Sequence, residues 1–149
     1  MTEIRFYHLR TRTLEQALPE ILTKVVSQGR RAVVKTQDVA SAERLNDYLW
    51  TWRPDSFLPH GMKGDSFPAD QPVWLTTIDE NPNGADVLIL TGGAENTQAS
   101  SFALCCEMFD GMDENAVAAA RQRWKTYGEQ GFAVTYWQQN DKGGWEQKA

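Results

Sequence analysis

The 149 residues contain only two cysteines and two histidines. Cys105 and Cys106 are chain neighbours, and on a strand neighbours face opposite sides, so they do not bridge each other and no disulfide framework exists. His8 and His60 fit neither a Cys-x-x-Cys nor a His-x-x-x-His spacing, which excludes a structural zinc site. Long apolar runs are also missing. The best, residues 87–90 and 102–106, fall far short of the ~20 residues needed to span a bilayer. The opening Met1-Thr2-Glu3-Ile4-Arg5 mixes charges and has no apolar stretch or small-residue cleavage site, so a soluble, cytoplasmic protein is expected.

Positive charge is absent over a long stretch. Between Lys63 and Arg121 there is no basic residue and there are ten acidic ones, after which Arg121, Arg123 and Lys125 arrive within five positions. The net charge is −5, carried by the second part of the chain: residues 1–53 hold nine basic and six acidic side chains, residues 54–149 six and fourteen. A local cation cluster on an acidic protein suits a small anionic partner better than a nucleic-acid backbone, which needs a wide basic face. With 41% apolar and 11% aromatic residues the chain has material for one core, and disorder is excluded.

Strand and helix patterns alternate. Ile4-Arg5-Phe6-Tyr7-His8-Leu9 reads as a strand. Thr13 caps a helix marked by Leu14, Leu18, Ile21, Leu22 and Val25, with Pro19 as either a kink or the true first turn. Arg31-Ala32-Val33-Val34-Lys35-Thr36 follows as a strand, then a helix capped at Asp38 or Ser41 and stopped at Trp52-Arg53-Pro54. Residues 54–72 read as a long irregular loop, 72–77 and 85–90 as strands, and 102–109 as another. Asp113 opens a last helix, which a left-handed cap at Gly131 ends, before the strand at 132–137. Parallel strands with crossover helices are the expected result: a single α/β domain over 1–140, three-layered and Rossmann-like, with helices on both faces of a mostly parallel sheet and a frayed tail at 141–149.

An α/β sheet invites a search for a glycine-rich phosphate loop between a strand and a helix. Arg10-Thr11-Arg12-Thr13 and Thr36-Gln37-Asp38 contain no glycine, and Thr91-Gly92-Gly93-Ala94 has no Gly-Lys-Ser/Thr ending and reads as a turn. His60 has no partnering Ser, Cys or carboxylate motif and reads as a turn or interface residue; the cysteines read as core. The last helix is the sharpest feature. Val117, Arg121, Trp124 and Gly128 form one stripe with Lys125 at its edge, so two cations flank an indole beside small residues. Such a face can take a carboxylate next to an apolar side chain, although a solvated helix face with a core-directed Trp has the same pattern. A nucleotide-binding α/β enzyme and a weak single-stranded DNA-binding module remain as alternatives.

Several runs together resemble one family. They are Ala120-Arg121-Gln122-Arg123-Trp124-Lys125-Thr126-Tyr127 with Gly131-Phe132, Phe6-Tyr7, Leu45-Asn46-Asp47-Tyr48-Leu49-Trp50-Thr51, Ser56-Phe57-Leu58-Pro59-His60 and Asp86-Val87-Leu88-Ile89. In this order, over nearly the whole chain, they resemble the chi subunit of bacterial DNA polymerase III (the HolC family). The resemblance implies a non-catalytic, cofactor-free accessory subunit of the clamp-loader assembly that grips the acidic, Pro-Phe-ending C-terminal tail of single-stranded DNA-binding protein. It touches DNA only indirectly. It also implies that Arg121, Trp124 and Lys125 hold that tail, with Val117 standing where familiar members carry a further Lys and Trp124 where Tyr is usual. A psi subunit is expected on a second surface, for which Trp52, Phe57 and Leu58 are the candidates.

Overall fold

Strand β1 (Glu3–Leu9) sends alternate side chains into two separate cores, and this division organises the molecule. Ile4 and Phe6 enter one core; Tyr7 and Leu9 enter the other. The computed structural model describes residues 2–51 and 58–149. After β1 come α1 (Leu14–Ser27), β2 (Ala32–Lys35), α2 (Val39–Thr51), β3 (Gly61–Met62), β4 (Val73–Thr76), β5 (Val87–Thr91), β6 (Leu104–Asp110), α3 (Glu114–Glu129), β7 (Ala133–Gln139) and β8 (Trp145–Gln147). The strands form one sheet in the order β3-β4-β2-β5-β6-β1-β7-β8, with every pairing parallel except β7 with β8. Helices α1 and α2 cover one face through Leu18, Leu22, Leu45 and Leu49; α3 covers the other through Ala120, Val117 and Trp124. The architecture is therefore a three-layer, Rossmann-like α/β fold.

Local chemistry explains the elements. The Thr13 hydroxyl accepts from Gln16 N while the Gln16 side chain accepts from Thr13 N, a reciprocal cap at the start of α1. Asp38 accepts from Ser41 N at 2.7 Å, and this bond holds its carboxyl below the ordinary value. Helix α1 runs through the buried Pro19 without ending there. Central strands buried on both faces are almost wholly apolar, as in Val87-Leu88-Ile89-Leu90. Cys105 belongs to the core under α3 and Cys106 to the opposite one; burial pushes the Cys106 thiol up to about 12.

Two regions differ from expectation. The segment from 54 to 72, read as irregular, contributes the short edge strand β3 and a 3-10 turn at Pro68–Asp70. The tail expected to fray instead folds back as β8, because Asn140 accepts from Lys142 N and Gly144 N in a tight turn. That turn places Gly143 at φ 82°, a left-handed conformation that glycine adopts without strain.

Candidate functional site

Helix α3 starts at Asp113, whose carboxylate accepts from Asn115 N and Ala116 N, and it lies across β6, β1 and β7. Its docking is registered by a buried polar anchor. The Arg123 guanidinium donates to Glu107 Oε1 at 3.1 Å and the Tyr127 hydroxyl donates to Glu107 Oε2 at 2.8 Å, with Glu107 itself 1% exposed. Burial raises the Glu107 carboxyl above its ordinary value, against the opposing pull of Arg123 and Tyr127. Burial and the neighbouring Glu107 also push the Tyr127 phenol up. Of the three cations clustered in sequence, Arg123 is thus consumed inside the fold.

This anchor leaves a cavity of about 420 Å³ between α3 and the sheet, lined by Phe6, Phe109, Val117, Ala120, Arg121, Trp124, Tyr136 and Ala149. Its walls are aromatic. Trp124 stands edge-on to Phe6 at 5.6 Å and to Tyr136 at 6.1 Å, and Phe109 meets Phe6 at 6.4 Å. The Tyr136 hydroxyl is hydrogen-bonded to His8 Nδ1, so the wall ring is fixed from behind. Burial lowers the His8 pKa, and the charges of Arg10 and Arg121 add to that effect; Tyr136 is raised by burial, with Arg121 acting against it. Arg121 therefore projects its field over this wall. It is exposed and forms no ion pair among the described residues, which leaves its guanidinium available to an anion.

Three of the sequence candidates, Val117, Arg121 and Trp124, meet at this cavity. Lys125 and Gly128 are exposed and lie off its lining, and a Cβ at Gly128 would meet nothing within 4 Å. Leu58 is 4% exposed and packs in the core with α1 and α2; Trp52 and Phe57, the other candidates for a second interface, lie outside the described residues. Sequence reasoning missed Phe6, Phe109 and Tyr136 as site residues because they reach the cavity from separate strands, and Ala149 because it arrives from beyond β8. The inward parity of Phe6, Phe109 and Tyr136 on β1, β6 and β7 was the available signal.

The place where an open α/β sheet ordinarily takes a ligand is different. At the carboxyl ends of β1 and β6 the following helices leave for opposite faces. There the backbone N–H groups of Arg10, Thr11 and Arg12 converge on Gln139 Oε1, at 2.8, 3.1 and 3.2 Å. An internal amide oxygen thus occupies the position that an anion takes in a phosphate-binding nest. His60 is also held internally, with Nδ1 at 2.8 Å from the Leu58 carbonyl and Nε2 at 3.3 Å from the Asn46 carbonyl. Gln139→Ala is expected to cost roughly 1 kcal/mol, the lower end of the range for unmatched donors because these three are only partly buried, as measured by urea unfolding. A loss below a few tenths would show that water replaces the amide freely.

Comparison with known proteins places the chain among replication subunits. Residues 1–135 match the family model described as DNA polymerase III chi subunit, HolC. A probable DNA polymerase III subunit chi from Rickettsia prowazekii is 36% identical over 90 residues, spanning 60% of this chain and 54% of its own length. The DNA polymerase III subunit chi of Escherichia coli K12 is 27% identical over 80% of this chain and 81% of its own length. That of Pseudomonas aeruginosa is 26% identical over 90% and 94%.

Proposed function

The chain belongs to the DNA polymerase III chi subunit family, a replication accessory subunit, and from that premise we propose that the cavity under α3 binds the acidic C-terminal tail of single-stranded DNA-binding protein. The observation that carries this reading is the exposed Arg121, without an ion pair among the described residues, at the edge of an aromatic cavity of about 420 Å³. A terminal Phe ring enters between Trp124, Phe6, Phe109 and Tyr136, and its α-carboxylate meets the Arg121 guanidinium. Lys125, exposed beyond the lining, acts on the upstream Asp residues as a steering charge. The protein is a cytoplasmic, non-catalytic linker, joined through a psi subunit to the clamp loader. Its net charge of −5 disfavours direct contact with DNA phosphates.

The test is fluorescence anisotropy of a labelled acidic peptide ending in Pro-Phe, titrated with the protein at low and at moderate salt. Saturable binding is expected. Arg121→Ala should weaken it roughly 10- to 100-fold, the range for a hydrogen bond to a charged group. Binding should also weaken as salt rises and screens Lys125 and Arg121. A folded wild type that shows no binding at low salt overturns the reading.

A further inference from the structure

The wall of the cavity opposite Arg121's own helix includes a residue from the other end of the fold. Residues 145–149 run back along β7, where Lys148 N donates to the Tyr136 carbonyl at 2.8 Å, Ala149 N donates to the same carbonyl at 3.3 Å, and Tyr136 N donates to Ala149 O at 3.4 Å. The strap is pinned from the other face by Trp145, whose ring stands edge-on to Tyr7 at 4.8 Å. Its bonds thus end on Tyr136, the residue whose ring closes the cavity against Trp124, and Ala149 reaches the lining directly. The family match stops at residue 135, so this strap lies outside the segment by which the chain was recognised.

We propose that the segment 145–149 is a specificity-determining wall of the cavity, setting through Ala149 and Tyr136 the size of the terminal side chain that the site accepts. The proposal rests on the tail-binding reading of the same cavity. Two features favour a wall over a plug. The cavity keeps about 420 Å³ with the strap in place, and the strap residue that reaches its lining, Ala149, carries the smallest side chain after glycine. The strap also ties the Tyr136 backbone on the side away from β1, so its loss removes one of the restraints on the residue that completes the aromatic box.

The experiment measures the affinity of acidic peptides ending in Phe and in Val for three forms of the protein: wild type, a deletion of 145–149, and Ala149→Leu. Deletion should weaken the Phe-ending peptide roughly fivefold, the scale of one or two buried methyl groups. Ala149→Leu should narrow the cavity, weakening the Phe-ending peptide while leaving the Val-ending one unchanged or tighter. A merely structural strap would not move that preference. If the deletion fails to fold, the Ala149→Leu preference decides alone. Equal or tighter Phe-peptide binding by a folded deletion variant, or an unchanged preference in Ala149→Leu, overturns the wall. If wild type binds neither peptide, the tail-binding reading itself fails, and the wall with it.

Discussion

Trp124→Ala is expected to weaken capture of the acidic, Phe-ending peptide by roughly 30- to 1000-fold, the range of an aromatic hot spot worth about 2–4 kcal/mol. The indole is half-buried, edge-on to Phe6 on one side and to Tyr136 on the other, so its removal takes away one side of the box and lets water onto its floor. Charge cannot compensate: Arg121 remains and can still attract the tail, but the ring it delivers has no wall to rest on. Trp124→Phe separates these contributions. It keeps an aromatic surface against Phe6 and is expected to stay within about tenfold of wild type, since it loses area but not the ring. The readout is the same anisotropy titration, with near-ultraviolet circular dichroism to show that the core remains ordered. Equal losses for Ala and Phe would mean that the indole N–H, not the ring face, makes the critical contact.

The parts of this site that were legible in the sequence are those on one helix. A period of 100° per residue puts Val117, Arg121 and Trp124 on one line, and the structure puts all three on one cavity. The same period also puts Gly128 on that line and Lys125 at its edge, yet neither belongs to the lining. Arg123 illustrates the other limit. In sequence it is one of three clustered cations; in space it turns under the helix to Glu107, sixteen positions away on β6, and leaves the recognition face. Helical periodicity carries no information about such a partner. Among the described residues the parallel sheet was read through its apolar runs, Val33-Val34 and Val87-Leu88-Ile89-Leu90, which two-sided burial demands.

The tail was misread for a reason of the same kind. Asn140 followed by Gly143 and Gly144 has the composition of a fraying end, yet the same residues make a hairpin turn when an edge strand is available to pair with. Trp145 is the signal that could have been weighed: an aromatic residue just past a turn seeks burial, and it finds Tyr7. Gln139 was silent in sequence altogether. Its role depends on three N–H groups nearly 130 residues away, brought to it by the pairing of β7 with β1.

Glu107→Ala should lower the melting temperature by roughly 10 °C. Removing one partner of a buried ion pair costs about 3–5 kcal/mol, and a chain of this size loses about 2–4 °C for each. The pair is well enclosed, with the Glu107 side chain 2% and the Arg123 side chain 14% exposed. Ala at 107 would strand the guanidinium and the Tyr127 hydroxyl together. Glu107→Gln keeps the volume and an acceptor for Tyr127 and should cost less than half as much. The two variants also differ from wild type in pH response. Because burial raises the Glu107 carboxyl in the folded state above its ordinary 4.5, the folded protein retains a proton that the unfolded chain has released. That contribution is complete below the unfolded value and fades as pH rises through the folded one. Wild-type stability should therefore fall relative to Glu107→Gln as pH increases from about 4.5 toward neutrality, in urea titrations at matched ionic strength. Parallel curves would place the carboxyl at an ordinary value and assign the anchor to hydrogen bonding alone. In either case Glu107→Ala should also weaken peptide capture, because Arg123 and Tyr127 flank Trp124 on α3 and their common anchor sets where the indole meets Phe6.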